Sequence, residues 1–242
     1  MKKLFIVSLV ILSFVSLRTE AQDFGLSFSY FIPKNGYFST PISPFSIRGI
    51  GVDLNKFMAL ETGASLYRMS GLNVKDLPFE SKEPIGGPSF TIFVPAELVF
   101  KLIQARQVQF DIKGGGFFFY GFAQKLNYGN LDRALQTYTG WDVVNSSYTF
   151  KNSPGFGYHM GAELTIPLFK QVNLSLETNY LVGQSKLPLT GSYAGGDLSG
   201  TNQKIEANFS EAKIDFRGLE FSIGVFMSTG GGSKNRSKSR RR

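Results

Sequence analysis

A period of two constrains this chain more than any other feature. Phe90, Ile92, Val94, Ala96, Leu98 and Phe100 alternate with Thr91, Phe93, Pro95, Glu97, Val99 and Lys101. Phe156, Tyr158, Met160, Ala162, Leu164 and Ile166 alternate with Gly157, His159, Gly161, Glu163 and Thr165. Val172, Leu174, Leu176, Thr178, Tyr180 and Val182 repeat the pattern against Asn173, Ser175, Glu177 and Asn179. Leu219, Phe221, Ile223, Val225 and Met227 close the series against Gly218, Glu220, Ser222, Gly224 and Phe226. Successive side chains of an extended chain point to opposite faces, so each segment is a strand with one bulky apolar face and one small or polar face. Shorter versions start at Phe24, Ile50, Met58 and Val108, the last running on to Phe118 and Tyr120. Together they make eight strands of about ten residues, the length a tilted strand needs to cross a bilayer.

The connections alternate as well. Short links are expected at Asn55-Lys56, over 102–107 and over 167–171, and long ones over 33–44, 70–88, 123–154 and 184–212. Short and long links alternate when the two ends of a barrel face different compartments. The expected fold is therefore all-β: an eight-stranded antiparallel up-and-down transmembrane β-barrel over residues 22–228, with short periplasmic turns, long extracellular loops and both termini periplasmic. A soluble barrel shares the period, so the choice rests on which face points inward. Eight strands enclose only enough room for packed side chains. The bulky face fits better against lipid, with Tyr30, Tyr120, Tyr158, Tyr180 and Phe100 as an aromatic girdle. Small residues are expected inside, Gly114, Gly116, Gly161 and Gly224 among them.

The flanks read differently. Met1-Lys2-Lys3, the apolar run Leu4–Leu17 and the small residues Thr19 and Ala21 describe a cleaved export signal over 1–21. Removing Lys2, Lys3, Arg18 and Glu20 lowers the formal charge from +8 to +6. That +6 equals the basic content of the last nine residues: Lys234, Arg236, Lys238, Arg240, Arg241 and Arg242. The body is thus near neutral, and the basic character belongs to a tail over 229–242 whose Gly-Ser start reads as a disordered linker. Behind an export signal the tail points to anionic lipid, peptidoglycan or an acidic protein, and not to nucleic acid. With no cysteine in the chain, disulfides, thiolate metal sites and a lipid-anchored amino-terminal cysteine are excluded.

The signal ending Ala21-Gln22, the Phe-Thr-Ile-Phe-Val-Pro-Ala-Glu-Leu strand at 90–98, Gly-Tyr-His-Met-Gly-Ala-Glu at 157–163 and the closing Gly-Leu-Glu-Phe-Ser-Ile-Gly-Val-Phe resemble the outer-membrane β-barrel domain family. Its relatives include PorT-like proteins and, further off in fold, the OmpX type and the OmpA membrane domain. The resemblance covers most of 24–228 and implies a bacterial outer-membrane barrel in a Gram-negative cell envelope. Many such barrels end on an aromatic residue; here sixteen residues follow Phe226.

His159 is the only histidine and the obvious candidate for catalysis, since some similar barrels modify lipid with a Ser–His–acid set on the lipid-facing wall. It falls instead on the inward parity. Pairing the sixth and seventh strands with residue numbers summing to about 338 sets His159 opposite Asn179, Gly161 opposite Glu177 and Glu163 opposite Ser175. Pairing the fourth and fifth with a sum of 210 sets Glu97 opposite Lys113 and Val99 opposite Asp111. A buried charge needs a partner, so a Glu97–Lys113 salt bridge is expected. The inward acids (Glu61, Glu97, Asp111, Glu163, Glu177, Glu220) outnumber the bases. Glu97, Asp111, Lys113, His159, Glu163, Glu177, Asn179 and Glu220 are read as a lumen polar network, with no catalytic set, metal or cofactor. Gly114-Gly115-Gly116 lacks the lysine and helix of a phosphate loop. The expected function is a non-enzymatic structural or interaction barrel in contact with outer-membrane lipid, with envelope protein partners. A lipid-modifying enzyme and a narrow channel are the alternatives.

Overall fold

The computed structural model describes residues 23–37, 41–105, 107–169, 171–200 and 202–228. Eight long strands dominate: β1 (Asp23–Pro33), β2 (Pro41–Asp53), β3 (Met58–Met69), β4 (Ser89–Gln104), β5 (Gln109–Phe122), β6 (Gly155–Phe169), β7 (Val172–Lys186) and β8 (Lys213–Ser228). Each pairs antiparallel with the next, and β8 pairs back onto β1 from Asp23↔Ser228 to Pro33↔Gly218. The sheet is a closed up-and-down barrel. At 11 to 16 residues, the strands outrun the expected ten, because pairing continues into residues where the alternation is no longer clean and links were expected.

Parity falls as the alternation predicts. Leu26, Phe28, Leu98, Tyr158, Met160, Leu176, Tyr180, Phe221 and Ile223 face outward and are exposed, while Ser27, Ser29, Glu97, His159, Glu177 and Glu220 are buried inside. Two glycines depart from it: Gly114 and Gly116 open outward, with only a carbonyl oxygen 3.6 Å from where a Cβ would stand. Gly115, between them, is the inward one, packed under the Ala96 carbonyl.

Two expected registers are off by two residues. Glu97 stands opposite Gly115 and Val99 opposite Lys113; Glu163 stands opposite Glu177, Gly161 opposite Asn179 and His159 opposite Leu181. The turns are tighter than the sequence suggests. β6 and β7 run to Phe169↔Val172, and β4 and β5 to Gln104↔Gln109, each through an irregularity near its end. A two-residue slip keeps every side chain on its face, so the inward list survives while the partners change.

The loop end is built, not irregular. An α-helix, α1 (Tyr128–Thr139), is capped by Asn127, whose side chain accepts from Asn130 N, and by Gly140 in the left-handed region at φ 75°. Leu131, Ala134 and Leu135 form its buried face. It lies against a three-stranded sheet of 143–150, 189–196 and 202–209. Asp132 accepts from Ser146 N at 2.9 Å and from Ser146 Oγ at 2.5 Å, which ties the helix to the sheet edge. Below this cap one apolar core runs into the barrel: Leu135, Ile85, Leu187 and Leu189, then Phe31, Tyr67, Phe93, Phe117, Phe119 and Phe216 inside the wall. Phe31 and Phe216 stack at 4.7 Å, and Phe119 and Phe216 at 4.4 Å. The loop half of the lumen is thus an aromatic plug, where small and ionic filling was expected throughout.

At Gly161 a Cβ would stand within 1.8 Å of Asn179 Oδ1 and 2.3 Å of the Thr178 carbonyl oxygen. Gly161→Ala is therefore expected to destabilise the barrel by about 1–3 kcal/mol. Gly116→Ala is expected to change stability by no more than about 0.5 kcal/mol. Urea unfolding of the two variants in detergent, followed by tryptophan fluorescence and gel mobility, checks the contrast.

Candidate functional site

The turn half of the lumen is ionic, and its centre is a residue that alternation alone hides. β2 carries a bulge: Ile47 pairs with Ala64 and Ile50 with Thr62, so three steps on β2 match two on β3. Gly49, at φ 77°, takes the left-handed conformation this requires. The extra residue resets parity, so Ser46 and Arg48 point inward while Ile50 still points out. Arg48 is buried and clamps two carboxylates, Nη1 to Glu177 Oε1 at 2.8 Å and Nη2 to Glu220 Oε1 at 2.5 Å. Asn179 Nδ2 donates to both acids at 2.7 Å, and the Tyr67 hydroxyl donates to Glu220. Arg48 supplies much of the positive charge that the inward acids lacked when read from the strands.

Lys113 is the second hub. Its ammonium lies 2.5 Å from Glu163, 3.2 Å from Glu61 and 3.8 Å from Glu97. The expected Glu97 contact is the longest of the three. Register explains the crowding: Glu61 stands directly across from Glu97 on β3 and β4, and Glu163 across from Glu177 on β6 and β7. Like charges directly opposite repel, and a cation between the pairs offsets this. Glu97 Oε1 also lies 3.2 Å from His159 Nε2, whose side chain is fully buried. Ser175 donates to Glu163. A serine chain completes the girth: Ser29 to Ser222 at 2.6 Å, Ser29 to Ser46 at 3.1 Å and Ser46 to Ser65 at 2.8 Å. Every barrel strand contributes a group to this layer.

Asp111 stands apart. It lies toward the turn end and forms no ion pair among the described residues, and its Oδ1 is buried without a hydrogen-bond partner. It lines a polar vestibule of about 120 Å³ with Asp53, Glu61, Glu163, Lys101 and Phe226. The basic residues Lys234–Arg242 lie outside the described residues, as does the segment 1–21. Among the described residues, no cluster of three or more histidine and acidic side chains is arranged to hold a metal. Among the described residues no serine hydrogen-bonds to His159, and Ser175 is engaged with Glu163.

No family model and no curated protein matches the chain. Solved structures do. The chain is similar to the outer membrane protein OprG from Pseudomonas aeruginosa, at 12% identity and a TM-score of 0.51 over 88% of this chain and 98% of that one. It is more loosely similar to a major outer membrane protein from Thermus thermophilus, at 13% identity and 0.42 over 85% and 98%. The attachment invasion locus protein Ail of Yersinia pestis follows, at 8% identity and 0.37 over 86% and 97%. The fold is that of the small outer-membrane β-barrel proteins.

Removing Arg48 leaves Glu177 and Glu220 buried without their counter-ion. Arg48→Met is therefore expected to cost about 3–5 kcal/mol. Adding Glu177→Gln and Glu220→Gln to it is expected to restore most of that loss, because the stranded charges go with the cation. Denaturant midpoints of the single and triple variants in one detergent test this; equal losses in both would mean the ions are not coupled.

Proposed function

We propose that the chain is an integral outer-membrane barrel with a non-enzymatic structural or interaction role, serving as a subunit of an envelope complex. Among small outer-membrane barrels we group it with PorT-like proteins, on the strands at 90–98 and 157–163. In this reading the turns and both termini face the periplasm, and the helix-and-sheet cap stands outside. The single observation that carries the reading is the filled lumen. Phe31, Phe93, Phe119 and Phe216, none more than 2% exposed, close the loop half, and the Arg48 and Lys113 networks close the turn half. A lumen plugged by rings in its loop half leaves no open path for a solute stream, and Arg48, Lys113 and their carboxylates are engaged with one another.

The outward face supports membrane integration. It is a continuous apolar surface rimmed by Tyr30, Tyr120, Tyr158 and Tyr180, with the buried charges all inside. Hydrocarbon tolerates that arrangement, and water does not reward it. The cap is then the surface available to partners, since loops carried on a rigid scaffold are where recognition concentrates.

Two measurements test this. In planar bilayers the purified protein is expected to give no conductance steps above the lipid background; discrete openings would favour the channel reading. His159→Ala is expected to leave lipid A and phospholipid profiles unchanged by mass spectrometry while lowering the unfolding midpoint. A wild-type lipid product that disappears in the variant would favour the enzyme.

A further inference from the structure

We propose that the basic segment 234–242 docks back into the turn-end vestibule of its own barrel, with one ammonium or guanidinium group seated against Asp111. The vestibule is anionic and its charge is only partly matched. Lys113 holds Glu61 and Glu163, and Lys101 holds Asp53 at 2.5 Å. Asp111 forms no ion pair among the described residues, and one of its oxygens is buried with no donor among them. A buried anionic oxygen in that state calls for a partner that the described residues of the wall do not provide. The cavity, about 120 Å³, is large enough for one cationic head group and a few waters.

The same chain carries the complementary charge to the right place. Phe226 lines the vestibule, and β8 ends two residues later at Ser228, paired with Asp23 on the rim. The sequence then continues Thr229-Gly230-Gly231-Gly232-Ser233 before the first tail lysine. A glycine-rich link of five residues spans roughly 12 Å. An eight-stranded barrel is about 16 Å across, so its axis lies about 8 Å from any strand. The link reaches the mouth without stretching, and such tethers give effective concentrations on the order of millimolar. Six positive charges in nine residues then face a vestibule with four carboxylates and one lysine on its wall. Docking rests on the fold and the charges, not on the compartment, so its failure would leave the closed-barrel reading standing.

The test uses the full chain in phosphatidylcholine nanodiscs. The protein has no cysteine, so Ser237→Cys and Gln107→Cys give two unique spin-label sites, one in the tail and one on the β4–β5 turn. Pulsed dipolar spectroscopy at low salt is expected to show a dominant distance below about 25 Å, as the barrel width sets it. That population is expected to fall at least threefold in 1 M NaCl and in Asp111→Asn, and to persist in phosphatidylglycerol nanodiscs. A broad distribution at low salt, one unaltered by Asp111→Asn, or one that shifts when anionic lipid is supplied would overturn the proposal, the last by assigning the tail to the bilayer. If Asp111→Asn does not fold, a tail with its six basic residues changed to Gln decides the matter: loss of the short distance supports docking and its retention refutes it.

Discussion

Hydrocarbon contains no water to take up a strand's peptide groups, and an unpaired row of them costs several kilocalories per group. The eleven-residue pairing of β1 with β8, from Asp23↔Ser228 to Pro33↔Gly218, removes the two edges an open sheet would keep. Closure then sets everything else. It fixes a wall with one lipid face and one narrow inner face, and it limits the inner face to what eight strands can enclose. Side chains that would be ordinary on an open sheet must find partners across a space about 16 Å wide.

The inner face meets that demand in two ways. Toward the loops it uses ring packing, continuous with the core beneath α1, so the cap and the barrel share one apolar interior. Toward the turns it uses charge: Arg48 holds Glu177 and Glu220, Lys113 holds Glu163, Glu61 and Glu97, and every carboxylate set face to face by register thus meets a cation. The ionic layer is costly to assemble and more costly to break, since removing one partner strands the others. Such a layer favours one register of the wall.

Much of the barrel was legible because lipid on one side and packed side chains on the other write a period of two into each strand. The inward parity of Glu97, Asp111, Lys113, His159, Glu163, Glu177, Asn179 and Glu220 could be read from that alone. The partners could not, because register depends on how tightly each turn closes; the Phe169↔Val172 end of the β6–β7 hairpin is shorter than Pro167 and its neighbours suggest. Arg48 was hidden by the bulge at Gly49, which breaks the count between Ser46 and Ile50. A glycine following an arginine inside an otherwise apolar alternation was the available signal. The helix was hidden by its setting in a long loop, although Asn127, Gly140 and the spacing of Leu131, Ala134 and Leu135 mark its ends and face. The aromatic plug was missed because Phe117 and Phe119 interleave with Phe118 and Tyr120, and a run of rings has no visible parity.

The bulky face of the wall meets lipid, and the small, ionic and plug side chains do not. Site-directed spin labelling along β4 tests it residue by residue, by comparing collision rates with oxygen, which partitions into the bilayer, and with a water-soluble nickel complex. Oxygen maxima are expected at positions 90, 92, 94, 98 and 100 and minima for both probes at 91, 93 and 97, a clean period of two. Oxygen maxima at 93 and 97, or high nickel accessibility along the 90–100 face, would contradict it.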